Sequence, residues 1–183
     1  MNGVRKSMRG IQVIVAVGAQ PKKLGRVPGF DRCIDFTQLL LGGDPGDRVV
    51  FFGGGQSSCE AAYELVLQGK HPVIVEYAND LIVSKGTCLA NSSFLRDMLR
   101  FKEVPIYLKH SISEIGDGYV IVKPVDGGEP FKVECDSVVN GIGFAPKDDF
   151  TTDDKHVHRV GTCVAWGALR EVVWSAWDVC MKI

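Results

Sequence analysis

The sequence predicts an α/β fold in which parallel strands alternate with helices and a small antiparallel meander follows. An apolar run at Arg48–Phe52 leads directly into glycines and a segment with helical spacing, and a second apolar run follows at residues 72–76. Strand, helix and strand within about thirty residues form a βαβ unit, whose strands are parallel. Further on, Asp-Gly turns divide short β-branched segments between residues 113 and 134, which is typical of antiparallel hairpins.

The residues before this unit predict one strand and one short helix. Residues 11–17 form a nearly continuous apolar run rich in β-branched side chains, which indicates a buried strand, and the run ends at Gly18-Ala19-Gln20-Pro21. A short helix is expected around residues 36–41. The turn residues at 42–47 then mark the clearest boundary in this part of the chain.

Two amphipathic helices are predicted in the middle of the chain. In residues 59–68 the apolar side chains fall at 59, 61, 62, 65 and 66, which is helical spacing, and Gly69 ends the helix. The second helix is expected to follow Asn91-Ser92-Ser93, whose side chains can act as N-caps. Its apolar face would contain Phe94, Leu95, Met98 and Leu99.

The remaining elements are short and mostly extended. A third parallel strand is expected at residues 104–108. The segments predicted after it are a meander of three strands at 113–115, 119–125 and 131–134, a buried strand at Ser137–Asn140, a strand that runs from residue 157 into Gly161, and a helix from about Arg170.

Charge and composition exclude several classes of function. With 21 basic and 22 acidic residues the chain has a net charge of −1, so it lacks the basic surface of proteins that bind nucleic acid or anionic membranes. The first apolar run is too short for a membrane span, and we expect a soluble, cytoplasmic protein. The six cysteines form no Cys-x-x-Cys pair, which argues against a redox dithiol, a zinc site or an iron–sulfur cluster held by this chain alone.

The strongest functional signal is the turn Gly53-x-Gly55-x-x-Ser58 between the strand and the helix. The first glycine permits a tight turn, the second lets a pyrophosphate approach the backbone, and the third position needs a small residue where helix and strand pack closely. Free N–H groups at the start of the helix would bind the phosphates. Glu76, at the end of the second strand, is suited to accept hydrogen bonds from the adenosine ribose and to repel a 2′-phosphate, which favours NADH over NADPH.

This motif in this context predicts a Rossmann-like dinucleotide site, and a tight turn with a surface glutamate is the plainer alternative. The residues expected to contact NADH here are Gly53, Gly54, Gly55, Gln56, Ser57, Ser58, Glu76 and Tyr77. Glu60, in the first turn of the helix, is expected near the nicotinamide, and Gly141-Ile142-Gly143 should line the nucleotide cleft at the strand ends. No side chain is predicted to act as acid, base or nucleophile, because hydride transfer is the chemistry of the cofactors.

Three other motifs in the sequence are weaker indications of a catalytic or binding site. Tyr119-x-x-x-Lys123 has the spacing of a catalytic pair that requires a helix, but three β-branched residues place it on a strand. His156 and His158 could share one strand face, yet no third metal ligand lies nearby in the sequence, and no metal site is predicted. A hydrophobic packing edge, such as a domain interface, is indicated by Trp166, Trp174 and Trp177.

The motifs follow one another in a distinctive order, at residues 17–21, 27–29, 53–60, 76, 136–146 and 160–163. This succession resembles the FAD/NAD(P)-dependent pyridine nucleotide oxidoreductases, which contain two nucleotide-binding domains. It is most similar to the C-terminal half of the old-yellow-enzyme-related 2-enoate and 2,4-dienoyl-CoA reductases. The resemblance covers about residues 11–180 and is more specific than any single motif in it.

In that family the pyridine-nucleotide domain is inserted into the FAD domain. The resemblance therefore implies an NAD(H)-binding domain at residues 47–146, flanked by segments of an incomplete FAD domain at 1–46 and 147–183. Gly18, Gly161 and Thr162 correspond to positions on the FAD side. The implied reaction passes hydride from NADH to FAD, and electrons then pass through an iron–sulfur cluster to FMN in a barrel domain of the parent chain, where an activated C=C bond is reduced.

Three departures from the family pattern concern FAD. The first βαβ unit and glycine motif of the FAD domain are absent, the Ala-Thr-Gly strand ending reads Ala16-Val17-Gly18, and the Gly-Asp pair that holds flavin reads Gly161-Thr162. We therefore expect a fragment or excised domain of a larger reductase that is inactive alone. The sequence does not predict FAD binding by this chain by itself.

Two other classes of function are compatible with parts of the sequence. An S-adenosylmethionine-dependent methyltransferase also has a glycine turn and an acidic residue at the end of its second strand, although the meander and the turn at residues 141–143 disfavour it. A non-catalytic nucleotide-binding module is compatible with the missing FAD motif. Binding of NADH against S-adenosylmethionine, and NADH-driven dye reduction, distinguish these classes.

Overall fold

The computed structural model describes residues 12–84, 86–147 and 152–183. Its α-helices are α1 (Phe36–Leu40), α2 (Gln56–Leu67), α3 (Leu89–Phe101) and α4 (Leu169–Cys180). Its strands are β1 (Val13–Val15), β2 (Ala19–Pro21), β3 (Ile34–Asp35), β4 (Arg48–Phe52), β5 (His71–Glu76), β6 (Ile106–Leu108), β7 (His110–Ile115), β8 (Tyr119–Pro124), β9 (Phe131–Glu134), β10 (Ser137–Asn140), β11 (Phe144–Pro146) and β12 (Val157–Arg159).

The chain divides into two compact units. The larger unit, residues 21–143, contains a five-stranded parallel sheet in the order β3-β10-β4-β5-β6 and the three-stranded antiparallel sheet β7-β8-β9. The smaller unit combines the residues up to Gln20 with those from Phe144 onward, and it contains the parallel pair β1-β12 and helix α4. Strands β2 and β11 pair with each other. The limits predicted for the NAD(H)-binding domain, residues 47 and 146, stay predictions, because they are defined by which cofactor each segment binds.

The predicted α/β class, with a parallel sheet and an antiparallel meander, is confirmed. Val50 of β4 lies opposite Val73 of β5 on one side and Val138 of β10 on the other, and all three strands run parallel. The chain leaves β4 through α2 toward β5, whereas β10 joins the opposite edge of β4. The strand order therefore reverses at β4, and in open parallel sheets ligands bind beside the carboxyl ends of the strands at such a switch point.

Strand β4 is buried on both faces, which explains its continuous apolar sequence. Because successive side chains of a strand point to opposite faces, Val49 and Phe51 enter one hydrophobic core and Val50 and Phe52 enter another. The first core is completed by helices α2 and α3 through Cys59, Ala62, Leu65, Leu95 and Leu99. The second is completed by the meander through Ile112, Ile115, Val120 and Val122.

The meander forms where the Asp-Gly turns predict it. Ile115 of β7 pairs with Val120 of β8, and the turn between them contains Gly118 at φ +75°. Tyr119 lies on β8, as expected, so the Tyr119–Lys123 pair is not on a helix. The Tyr119 hydroxyl donates to Glu114 Oε1 at 2.7 Å, and this hydrogen bond raises the pKa of the phenol. A raised pKa is the opposite of what a proton-abstracting phenolate requires.

The expectation of a buried strand at residues 11–17 is wrong in extent and in burial. Strand β1 covers Val13–Val15 only, and Ile11 lies outside the described residues. Val13 and Ile14 are 41% and 47% exposed, and Val15 is the buried member. Among the described residues β1 pairs only with β12, and a two-stranded sheet leaves its faces uncovered.

The second amphipathic helix begins earlier than predicted. Helix α3 starts at Leu89 with Cys88 as its N-cap, and Ser92 lies inside the helix with its hydroxyl donating to the Leu89 carbonyl at 3.1 Å. Ser92, Leu95 and Leu99 form the buried stripe, while Phe94 is 53% exposed and packs edge-on against Tyr63. The spacing 92, 95, 99 follows one helix face, and Phe94 lies about 100° away from it.

The C-terminal helix carries a largely exposed apolar surface. Helix α4 begins at Leu169, one residue before the predicted start, and contains no buried residue. Trp166 stacks on Phe144 with 5.0 Å between ring centroids, and Trp174 and Trp177 are more than half exposed. The predicted packing role of these tryptophans stays a prediction. No helix in the described part of the chain has the length and apolar character needed to cross a membrane.

Asp136 ties the end of the meander to the start of β4. Its Oδ2 accepts the backbone N–H groups of Asp47 at 3.0 Å and Arg48 at 2.8 Å, and its Oδ1 accepts from Arg48 Nη2 at 2.9 Å. The hydrogen bonds from Arg48, backbone first, and then from Asp47 lower the pKa of Asp136 to about 2. Asp136 is therefore ionised in the folded protein at neutral pH.

Asp136→Asn should lower stability at neutral pH and weaken the acid dependence of unfolding. Because the pKa of Asp136 is about 2 in the native state and near 3.9 in an unfolded chain, its contribution is complete above that higher value and is lost as the pH falls toward 2. Urea midpoints measured from pH 7 down to pH 2 would show this. Asp117→Asn, at an exposed turn carboxylate, is the control, and parallel pH profiles for wild type and Asp136→Asn would contradict the assignment.

Candidate functional site

The first glycine of the turn brings two strand ends into backbone contact. Gly53 follows β4 at φ +111°, and its N–H donates to the Val75 carbonyl at 2.8 Å. A Cβ atom at this position would lie 2.6 Å from the carbonyl oxygen of Gly141, which follows β10. Both the backbone angle and the available space therefore require glycine at position 53.

The third position of the motif packs against the same strand end. The Gly141 N–H donates to the Phe52 carbonyl at 3.0 Å, and a Cβ on Gly141 would overlap Ser58 Oγ. Ser58 is 1% exposed, and its hydroxyl has no hydrogen-bond partner among the described residues. Its position is that of the small packing residue expected between helix and strand. Direct contact of Ser58 with a pyrophosphate stays a prediction.

Gly54, which lies between the two motif glycines, is held by several neighbouring groups. The Gly54 N–H donates to Glu76 Oε2 at 2.5 Å, and the Gly54 carbonyl accepts the Ile82 N–H at 2.9 Å and the Cys59 thiol at 3.5 Å. A Cβ on Gly54 would lie 2.5 Å from Leu81 Cδ2. The two peptide groups that flank the Gly54 Cα are therefore held by residues from three different segments.

The structure brings Glu76 to the glycine turn, as the spacing suggests. The carboxylate ends β5 and is half-buried, with Oε2 on Gly54 N–H and Oε1 accepting the Ala78 N–H at 2.7 Å. Each carboxylate oxygen can accept more than one hydrogen bond, so capacity remains for ligand hydroxyls. Tyr77, the next residue, is 68% exposed.

The second glycine of the motif borders open space. Gly55 is the N-cap of α2 with φ −67° and ψ 173°, and no side chain of the described residues caps this helix. A Cβ on Gly55 would meet nothing within 4 Å. Gln56 and Ser57 follow at partly exposed and exposed positions, with no acidic residue in the first turn. Uncapped amides, a positive dipole end and empty space together fit the diphosphate of a dinucleotide.

Glu60 lies farther from the start of the helix than predicted. Because α2 begins at Gln56, not Cys59, Glu60 is in the second turn, where its Oε1 accepts from Gln56 Nε2 at 2.7 Å. It lines a groove of about 650 Å³ between α1 and α2. The structure does not place Glu60 in contact with Gly141-Ile142-Gly143, and its role toward nicotinamide stays a prediction.

A buried asparagine that the motif analysis does not assign to the site fixes the turn at residues 141–143. Asn140 is 7% exposed, its Nδ2 donates to the Lys22 carbonyl at 2.8 Å, and its Oδ1 accepts the Ile142 N–H at 3.4 Å. Gly143, at φ +92°, accepts the Lys22 N–H at 3.0 Å. In the sequence, the only indication of this role is that a polar residue, Asn140, follows two valines at the end of the strand Ser137–Asn140.

The residues predicted on the FAD side lie in the smaller unit. Gly18 and Gly161 have φ +80° and +73°, and Thr162 Oγ1 lies 3.9 Å from where a Cβ on Gly18 would be. The Gly161 N–H donates to Ser175 Oγ at 2.7 Å. Thr162 supplies a hydroxyl where the family pattern has a carboxylate, so this pair lacks the charged group of the Gly-Asp pair.

The buried cysteines have the character of structural thiols. All six are free, and Cys59, Cys135 and Cys163 are buried. Desolvation by burial raises the pKa of Cys59 to about 12 and that of Cys135 to about 11. Reactive thiols instead have lowered pKa values. In the described ranges no three His, Cys, Asp or Glu side chains cluster as metal ligands would.

The family of the chain is shown by its sequence. Residues 3–164 match the family of pyridine nucleotide-disulphide oxidoreductases, and the chain belongs to that family. Members of this family bind FAD and NAD(P)H. The chain is thus an oxidoreductase-family domain, and the methyltransferase alternative is not favoured.

Two curated relatives cover most of the chain. Cinnamate reductase from Clostridium sporogenes is 29% identical over 179 residues, which are 94% of this chain and 26% of that protein. The F component of alkyl hydroperoxide reductase from Staphylococcus epidermidis is 30% identical over 159 residues, which are 81% of this chain and 30% of that protein. The chain spans between a quarter and a third of the length of these relatives.

Solved structures share the fold. The structure of 2-naphthoyl-CoA reductase in complex with 2-naphthoyl-CoA superposes with a TM-score of 0.80 and 24% sequence identity. The match covers 93% of this chain and 26% of the reductase chain. Thioredoxin reductase from T. acidophilum superposes with a TM-score of 0.65 and 22% sequence identity. The match covers 92% of this chain and 62% of the thioredoxin reductase chain. Both support the Rossmann-like assignment.

Gly53→Ala should destabilise the protein by about 2–4 kcal/mol, because a left-handed dihedral angle and an overlap with the Gly141 carbonyl add together. Urea unfolding measures the difference. Gly127→Ala is the matched control, since Gly127 has φ +92° but open space around its Cα, and it should cost only about 1–2 kcal/mol. Equal losses in the two variants would show that the contact between the strand ends is unimportant.

Cys59 should resist thiol reagents in the folded protein. With a pKa of about 12, only about one thiol in 10⁴ is ionised at pH 8. Labelling followed by peptide mass spectrometry should modify the exposed Cys88 and Cys180 first, and Cys59 only after denaturation. Labelling of Cys59 at the rate of Cys88 in native protein would contradict its burial.

Proposed function

We propose that the larger unit is the NAD(H)-binding part of a flavin-dependent oxidoreductase, in which hydride passes from NADH to FAD. The observation that carries this proposal is the backbone contact between Gly53 and Gly141 at the switch point of the sheet. Beside that contact lie the uncapped start of α2 and the Glu76 carboxylate. Glycines, helix amides and an acidic strand end in this arrangement suit a dinucleotide.

Each part of the proposed ligand has a matching group in the chain. The backbone N–H groups at Gly55, Gln56 and Ser57 would hold the diphosphate, and Glu76 would accept hydrogen bonds from the adenosine ribose. The turn at residues 141–143 would border the nicotinamide half. When bound, NADH supplies the hydride, and the chain contributes binding and orientation rather than an acid or a base.

The charge of Glu76 sets the proposed cofactor preference. A carboxylate beside the ribose favours the free 2′-hydroxyl of NADH, and it repels the phosphate that NADPH carries there. Both oxygens already accept a backbone N–H, so the carboxylate is fixed in place before a ligand arrives.

The reduction of an activated C=C bond is the proposed role of the parent protein. The similarity to cinnamate reductase, which is named for an α,β-unsaturated carboxylate, supports an enoate or enoyl type of substrate. The resemblance to the old-yellow-enzyme-related reductases further suggests that the electrons pass from FAD through an iron–sulfur cluster to an FMN domain of the parent chain. The second candidate, a nucleotide-binding module without reductase activity, is favoured by Thr162 at the position of the flavin-binding carboxylate.

Gly55→Ala should weaken NADH binding without weakening the fold. The backbone angles of Gly55 suit alanine, so its stability should change by less than about 1 kcal/mol. Its methyl group would occupy the open space beside the helix amides, and NADH affinity should fall at least about tenfold, because an ordered phosphate contact is lost. Isothermal titration calorimetry gives the affinities, and urea unfolding gives the stabilities.

The same titrations include two comparison ligands. NADPH should bind the wild-type protein more weakly than NADH, and Glu76→Gln should reduce that difference, because the repelling charge is gone. S-adenosylmethionine should give no heat. If wild-type protein gives no heat with NADH, or if Gly55→Ala binds NADH as well as wild type does, the proposed site is wrong.

A further inference from the structure

The segment directly after Glu76 folds back over the glycine turn. Leu81 is 3% exposed and fills the space where Gly54 would carry a side chain, and the Ile82 N–H donates to the Gly54 carbonyl at 2.9 Å. The residues that follow the second strand therefore determine how the middle glycine is held. This contact was not indicated by any motif in the sequence.

Ile82 adopts a backbone conformation that its side chain disfavours. Its φ is +53°, in the left-handed region, and it is 4% exposed. A β-branched residue in that region is an outlier, because the Cβ atom crowds the backbone. Such a conformation persists only when surrounding groups hold it.

Arg96 of α3 is the side chain from a neighbouring helix that holds this segment. Its Nη2 donates to the Leu81 carbonyl at 2.5 Å and to the Ile82 carbonyl at 3.4 Å, and its Nε lies 3.1 Å from Asp80 Oδ2. The Arg96 side chain is only 19% exposed, whereas Asp80 is 46% exposed. One planar guanidinium thus contacts three successive residues, Asp80, Leu81 and Ile82.

We propose that Arg96 is a positioning residue for the adenosine half of the dinucleotide site. Arg96 fixes the carbonyls of Leu81 and Ile82, and the Ile82 N–H fixes the Gly54 carbonyl. The opposite side of the Gly54 residue donates its N–H to the Glu76 carboxylate. The inference rests on the proposed function, because it assigns Arg96 to the Glu76 subsite of that same site.

The consequence is specific to ligands that contain the adenosine ribose. Without Arg96 the strained segment can relax, and the backbone at Gly54 is then free to rotate. Glu76 would lose the Gly54 N–H donor on Oε2 and keep only the Ala78 N–H donor on Oε1. Binding of NADH and of ADP-ribose should weaken. Reduced nicotinamide mononucleotide lacks the adenosine, so its binding should be unaffected.

A double-mutant cycle tests this coupling on the intact chain. Affinities for NADH, ADP-ribose and reduced nicotinamide mononucleotide are measured by calorimetry for wild type, Arg96→Gln, Glu76→Gln and the double variant. Arg96→Gln should weaken NADH and ADP-ribose about tenfold, as expected for a lost charge-assisted hydrogen bond, and should add nothing in the Glu76→Gln background. Arg100→Gln, an exposed arginine one turn along α3, should bind every ligand as wild type does.

The outcomes separate this inference from the proposed function. Multiplicative effects of the two substitutions, or equal weakening of the mononucleotide, would overturn the role of Arg96 while NADH binding by wild type still supports the proposed site. No NADH binding by wild type would overturn both. If Arg96→Gln does not fold, as judged by its melting temperature, Asp80→Asn takes its place in the cycle; it removes the carboxylate partner of Arg96 at a half-exposed position and should show the same non-additivity with a smaller effect.

Discussion

The ends of β4 and β10 approach each other so closely that neither strand can be followed by a residue with a side chain. A Cβ on Gly53 would meet the Gly141 carbonyl, and a Cβ on Gly141 would meet Ser58. This contact sets the start of α2 against the sheet and limits position 58 to a small residue. It also places the uncapped helix amides beside the crevice where the strand order reverses. The location of the candidate site is therefore a consequence of backbone packing.

That packing depends on layers on both sides of the parallel sheet. Val49 and Phe51 contact the helix layer, and Val50 and Phe52 contact the meander. A helix layer alone would leave half of the β4 side chains in water, so the antiparallel meander is an essential part of the core. Asp136 connects the two parts, because its carboxylate joins the end of β9 to the backbone at the start of β4.

The candidate site has the chemical groups of a binding surface. The buried thiol of Cys59 is protonated and donates to the Gly54 carbonyl, so it supports the turn instead of attacking a substrate. Tyr119 has a raised pKa and lies on a strand of the meander. Membership of a family that binds FAD and NAD(P)H agrees with such a site, since cofactors carry the reactive groups there. Fixed backbone donors and one fixed carboxylate are what the chain itself contributes.

Local spacing alone determined the βαβ unit, the glycine turn with Glu76 at the next strand end, and the meander. Each of these follows from a period of two or 3.6 residues and from the dihedral preferences of glycine in a turn, which act over a few neighbours. Only the tertiary structure decided that Gly53 touches Gly141, that Asn140 holds residue 22, and that Arg96 secures Leu81 and Ile82. It also decided the exposure of β1 and the early start of α3. These features depend on strand register and on side chains from distant segments, and no local pattern in the sequence encodes which distant groups meet.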